Sequence, residues 1–173
     1  MQKINITAVI KWHLNTLRDD KGRLIWADLA TFYGAPILLG AGFYVLNYRV
    51  PRDAIELSVT VFSIFAALLL SVQVALYSVS LRPLSPPDDP KKAKAFQAVA
   101  ATRTTVIREL NDNIAYLILL SVIWISVLLA LFVLSCLGRG ASAFVFAMFI
   151  HFLLTLLMVV KRASIVFSRE YET

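Results

Sequence analysis

Few side chains in this sequence have the chemistry to hold or transform a ligand, and most of those are basic. Lys91, Lys92, Lys94, Arg103 and Arg108 fall within eighteen residues. Such a cluster attracts phosphate and carboxylate groups but names no nucleobase. Two readings follow from it: ordinary contact with anionic lipid headgroups, or a site for a nucleotide or short nucleic acid. Arg103 favours the second. It stands on an apolar stripe, where a lone cation needs a partner. In a symmetric oligomer its copies would converge as a ring, which an anion, Glu109 or Asp112 would have to neutralise.

His151 and Gln73 stand out for the opposite reason, as polar side chains within long apolar runs. His151 lies twelve residues after Arg139 and ten before Lys161, which places it near the centre of its run. An ionisable group at that depth is costly and is a functional candidate by default. It would line or gate a pore, or it would be a neutral histidine bonded to a neighbouring helix through Gln73, Ser126 or a backbone carbonyl. Gln73 has the same two readings, pore-lining or interhelical glue.

Catalytic patterns are missing. The sequence contains no HExxH, nucleophile elbow, Walker loop or Gly-rich dinucleotide turn, so neither an enzyme nor a cofactor is expected. His13 and His151 are far apart in sequence, one expected at a membrane surface and the other at depth, so no shared metal site is expected. Cys136 is the sole cysteine and reads as a small packing residue. No Asp or Glu lies inside the apolar runs, which argues against a proton-relay transporter and a carboxylate-ring cation filter.

The elements that must position these residues are membrane spans. Leu29–Tyr48, Leu57–Leu81, Asn113–Gly138 and Gly140–Val160 are charge-free runs of 20, 25, 26 and 21 residues. About 20 apolar residues suffice to cross a bilayer core. Hydrophobic residues make up 59% of the chain, against about 45–50% in soluble domains. The expected fold is therefore an all-α integral membrane protein with four transmembrane helices. Basic residues number fourteen in the two termini and the middle connection and three in the two other connections. The positive-inside rule then puts both termini in the cytoplasm.

Residues 1–28 read as an amphipathic helix. Ile6, Val9, Ile10, His13, Leu14 and Leu17 share one face, and Lys21-Gly22 is the expected stop. This helix would lie at the inner membrane surface, anchored by Trp12, or pack on cytoplasmic parts of its own oligomer. Residues 29–173 form the transmembrane domain. In the first span Gly34, Gly40 and Gly42 permit close helix approach, and Pro36 predicts a kink. After a proline-rich linker, the chain reads as one helix from Pro90 to Gly138, about 48 residues and roughly 70 Å long. Its basic part, 91–112, would extend the third span into the cytoplasm, and Phe96, Val99, Arg103, Val106, Leu110 and Ile114 would form a coiled-coil seam. The last helix is expected to run past Lys161-Arg162.

This layout of amphipathic start, four spans, basic cytoplasmic helix and minimal outer loops resembles the small four-span membrane effectors of bacterial anti-phage defence systems, such as the Kiwa and Hailong membrane proteins. The resemblance covers the layout of the whole chain and carries over no residue. It implies a bacterial inner-membrane protein and a homo-oligomer, with a tetramer favoured, that answers infection or a cytoplasmic partner by altering membrane integrity. The expected function is thus an oligomeric pore governed by an anionic ligand or partner. The alternative is a non-conducting anchor that recruits a cytosolic protein.

Overall fold

A computed structural model describes residues 5–18, 22–82, 90–135 and 137–171, with the side chains of 90–92, 94, 95, 99 and 166–171 outside that description. The proline linker at 83–89 and Cys136 also lie outside it. The described chain is helical apart from short connections and an isolated β-bridge between Arg18 and Leu24.

Helix α1 spans Ile6–Asn15, with the Asn5 side chain accepting from the Ala8 amide at its start. It ends well before the expected Lys21-Gly22 stop. The Thr16 hydroxyl lies 2.8 Å from the His13 carbonyl, and the Thr16 amide bonds the carbonyls of Trp12 and His13. Those bonds close the last turn locally, and the chain then reverses through Gly22 at φ 74°.

The first apolar run is not one regular helix. It divides into α2 (Trp26–Leu29), a π-helical turn (Ala30–Gly34) and α3 (Ala35–Val45). Pro36 explains the location. It has no N–H to give the Phe32 carbonyl four residues back, so regular α bonding cannot continue through this point. The expected kink at Pro36 is thus realised as a widened turn just before it.

The other elements are long. Helix α4 spans Arg52–Ser80, α5 spans Pro90–Val133 and α6 spans Arg139–Tyr171. Three helices are long and apolar enough to cross a membrane: Arg52–Ser80, Phe96–Val133 and Arg139–Ile165. Helix α5 has 44 residues, about 66 Å at 1.5 Å rise each. It stops five residues short of the expected Gly138, because Ser135 takes a left-handed conformation with φ 52°. Helix α6 does run past Lys161-Arg162.

The long helices pack side by side in the order α3, α6, α5, α4, and α1 lies against α5. The α4–α5 contact follows a heptad rhythm. Ile55, Phe62, Leu69 and Leu76 are buried on α4, each seven residues from the last. On α5 the buried line is Ile107, Leu110, Ile114, Leu117, Ser121, Trp124 and Leu128, alternating steps of three and four. Of the expected seam, Arg103 is half-buried one turn ahead of this line, Leu110 and Ile114 belong to it, and Ile107 takes the place expected of the partly buried Val106; Phe96 is half-buried and the Val99 side chain lies outside the described residues. The α3–α6 contact depends instead on a small residue. A Cβ at Gly40 would stand 2.8 Å from the Ala147 Cβ and 3.0 Å from the Ala143 carbonyl oxygen, so only glycine permits this approach.

Polar contacts sort to the two ends of the molecule. At one end Arg162, Glu109, α1 and the last turn of α4 meet. At the other end the Val50 amide donates to the Ser142 hydroxyl at 3.1 Å, Arg52 donates to Ser135 at 2.8 Å, and Arg139 bonds Asn47.

Candidate functional site: a polar junction and a basic groove

The first site grows from Pro36. With no N–H at Pro36, the Phe32 carbonyl is left to accept from elsewhere, and His151 Nδ1 lies 2.7 Å from it. A carbonyl only accepts, so Nδ1 carries the proton. In the neutral ring Nε2 is then an acceptor, and the Tyr116 hydroxyl, 2.8 Å away, donates to it. The site is deeply buried, with His151 at 5% exposure, and a charge there would be unpaired. Of the two readings of His151, the structure contains the bonded one. Its partners are a backbone carbonyl and Tyr116. Gln73 and Ser126 are engaged elsewhere, Ser126 with the Val122 carbonyl.

Tyr116 extends the junction to α1. The His13 ring stacks on the Tyr116 ring with centroids 3.9 Å apart and planes within 2°. The two histidines, distant in sequence, therefore lie on either side of one tyrosine. His13 Nδ1 is 2.7 Å from Asn113 Oδ1, and Asn113 Nδ2 donates to the Glu109 carbonyl at 2.9 Å. The amide oxygen only accepts, so His13 Nδ1 is the donor. Its Nε2 is buried and has no hydrogen-bond partner among the described residues. Burial lowers the His13 pKa to about 4, and the positive field of Arg162 reinforces the shift against the hydrogen bond to Asn113. Arg162 completes the junction, pairing with Glu109 at 3.0 Å and donating to the Thr16 carbonyl at 3.1 Å. Four segments, α1, the π turn, α5 and α6, are thus tied through one run of polar groups.

The second site is a groove of about 290 Å³ between the last turns of α4 and the middle of α5. Arg103 and Arg108 both line it. Arg103 donates to the Val79 carbonyl at 2.9 Å and reaches the Arg82 carbonyl at 3.5 Å. These carbonyls belong to the C-terminal end of α4, where the helix dipole favours a cation. That bonding is how an arginine on the apolar seam is satisfied. Glu109 is paired with Arg162 instead, and Asp112 exerts its attraction on Arg108. Gln73 proves to be interhelical, donating to Asn111 Oδ1 at 3.1 Å.

Of the five basic residues singled out in sequence, the structure joins Arg103 and Arg108. Lys91, Lys92 and Lys94 lie in the first turns of α5, and their side chains are outside the described residues. Lys94 stands nine residues before Arg103, about 13 Å along the helix. Sequence reasoning missed Asn111, Asn113 and Tyr116. One signal was present: Asn111, Asp112 and Asn113 interrupt the α5 seam just where the apolar run begins. Comparison with known proteins adds no relative, since no family model matches the chain and neither a curated protein nor a solved structure is similar to it.

Proposed function

We propose that the chain forms an oligomeric, pore-like membrane effector that responds to an anionic ligand or partner at its basic end, in keeping with its resemblance to anti-phage effectors. In this reading Trp26–Val45 is a fourth span. Its twenty residues reach about 30 Å even with the π turn. Both termini and the basic part of α5 face the cytoplasm, and α1 rides at the inner surface.

One observation carries the pore reading. Glu56, Thr60, Ser63, Ala67, Ser71, Val74 and Ser78 recur at three- and four-residue steps on α4 and all are exposed. They lie on the face opposite the Ile55–Leu76 seam. From Glu56 to Ser78 the stripe runs about 33 Å, the thickness of a bilayer core. Hydroxyls of Thr60, Ser63, Ser71 and Ser78 each bond the carbonyl four residues back, which leaves the oxygen as an acceptor facing outward. Lipid offers those oxygens no donor, whereas water in a lumen does. One protomer with four spans is too thin to enclose a wet lumen by itself, so copies of the chain must supply the rest of the wall.

Planar-bilayer recording tests this reading. Purified protein should give discrete conductance steps, and Ser63→Leu with Ser71→Leu should reduce them severalfold. Silence with and without infected-cell extract sinks the proposal. A second reading, a non-conducting anchor, draws on the exposed Ile6, Ile10 and Trp12 of α1, an apolar face available to a soluble partner. Intact membrane potential in expressing cells, together with a co-purifying soluble protein, would establish it instead.

A further inference from the structure

We infer that the pore passes small cations in preference to anions, selected by a wall of oxygen acceptors on α4 and by Glu56 at its outer mouth. The inference rests on the pore reading above and names what that pore conducts.

A wall selects by the groups it can offer an ion that has shed part of its water. A cation takes oxygen lone pairs, whereas an anion takes N–H and O–H donors or a fixed positive charge. The α4 stripe holds the first kind. Each hydroxyl has one proton, and here it is spent inside the helix. Ser63 donates to the Val59 carbonyl at 2.8 Å, Ser71 to Ala67 at 3.1 Å, Ser78 to Val74 at 3.2 Å and Thr60 to Glu56 at 3.3 Å. Backbone N–H groups along α4 are likewise spent on the helix ladder. From Glu56 to Ser78 the stripe carries no Lys, Arg, His, Asn, Gln, Trp or Tyr. Gln73, the amide on the same helix, is turned to Asn111 on α5. An ion crossing this face therefore meets lone pairs at intervals of about one or two helical turns, and its donors are water.

The outer mouth adds a carboxylate. The charged residues of that end, Arg49, Arg52, Asp53, Glu56 and Arg139, all lie among the described residues. Arg52 is held against α5, donating to the Ser135 hydroxyl at 2.8 Å with its guanidinium 5.4 Å from the centre of the Phe132 ring. Arg139 bonds Asn47 just beyond α3. Arg49 precedes Pro51, outside α4. Glu56 is exposed at the head of the stripe and makes no ion pair among the described residues. One such carboxylate from each copy concentrates cations at the mouth, within a Debye length of about 10 Å at 0.1 M salt. The wall oxygens are single and widely spaced, unlike a ring of carbonyls that replaces a whole hydration shell. Potassium and sodium should therefore pass almost alike.

The test is the reversal potential of the full chain in planar bilayers under a potassium chloride gradient. Potassium should be favoured over chloride roughly fivefold or more, the factor that one net hydrogen-bond contact is worth. Ser63→Ala with Ser71→Ala removes two acceptors without adding bulk, and should bring the preference toward parity whatever the salt. Glu56→Gln should weaken it at about 0.1 M salt and have little effect at about 1 M, where the Debye length is about 3 Å. Ser126→Ala is the control. Ser126 is exposed on α5 and its hydroxyl bonds the carbonyl four residues back in the same way, but it is off the stripe, so its loss should change nothing. A chloride preference, or none, overturns the inference and keeps the pore. A cation preference that the stripe and mouth variants leave intact, or that Ser126→Ala lowers equally, overturns it as well. Absence of current removes the pore and its selectivity together. Glu56 is exposed, so Glu56→Gln decides the matter even where the double variant does not assemble.

Discussion

The α4–α5 seam and the junction around Tyr116 hold the same helix, α5, by different physics. The seam is apolar and periodic. Phe62, 1% exposed, packs edge-to-face on Trp124 and Phe152, with ring centroids at 6.3 and 4.8 Å. The junction is polar and irregular, and it needs a proline, a broken helix and two neutral histidines. In lipid the seam gains little from expelling water, because the surrounding tails are as apolar as its side chains, so its strength is shape and dispersion. The junction gains from directional bonds that lipid cannot replace. The seam should therefore respond to lost volume and ignore pH, and the junction should do the reverse.

The largest effect should come from volume. Phe62→Ala empties a site that touches both α5 and α6, and such truncations cost about 3–5 kcal/mol in water-soluble cores. With lipid solvating the separated helices, about 3 kcal/mol is expected, read from thermal unfolding in detergent. Phe62→Leu should recover most of it. If both variants melt alike, packing does not hold the seam.

Acid should act on the junction alone. Docked, His13 has a pKa of about 4 against an ordinary 6.5. The docked state therefore resists the proton, and the docking contribution is full above pH 6.5 and is lost as pH falls toward 4. The whole shift corresponds to roughly 3 kcal/mol, an order-of-magnitude figure. Spin labels on α1 at Lys11 and on α5 at Thr102, both exposed, should move apart over that window while α4–α5 distances hold. His13→Phe keeps a ring against Tyr116 and should abolish the response. A separation that begins above pH 6.5, or that persists in His13→Phe, breaks the comparison.

The same contrast decides what was legible in sequence. A seam declares itself because each residue repeats the demand of the last. The α5 stripe, its Arg103, the length of α5 and the run of α6 past Arg162 could all be read from periodicity. The junction has no period. His13 and Asn113 are a hundred residues apart, and nothing in either neighbourhood names the other. The acceptor for His151 is a backbone carbonyl, to which any residue type at position 32 would contribute equally. Its sole trace is indirect: Pro36, four residues on, cannot bond it. Sequence reading found that proline and found the histidine, but no rule of spacing links them across 119 residues. Arg103 shows the converse. Its place on the seam was legible, while its partner, the end of α4, depends on how two helices align.

A smaller effect tests whether the tyrosine connects the junction. Tyr116→Phe keeps the ring on which His13 stacks and removes the donor to His151. A double-mutant cycle with His151→Leu should return about 1 kcal/mol, since interhelical hydrogen bonds in membranes average about 0.6 and reach about 1.7 kcal/mol. A cycle that closes at zero would leave His151 held by Phe32 alone and divide the junction in two.

The smallest effect concerns the proline. Pro36→Ala restores an N–H aimed at the Phe32 carbonyl, which already accepts from His151. A carbonyl has two lone pairs, so the new donor shares the oxygen and need not evict the old one. The net change in stability should be below about 1 kcal/mol, because a helix bond is gained as an interhelical one weakens. The ¹⁵N resonance of His151 Nδ1 is the sensitive readout. It should shift toward a weaker hydrogen bond in Pro36→Ala, and much less in Ile37→Ala, one residue along on the exposed face. Equal shifts in the two variants would mean that the Phe32 carbonyl is available to His151 for some reason other than the missing proline N–H.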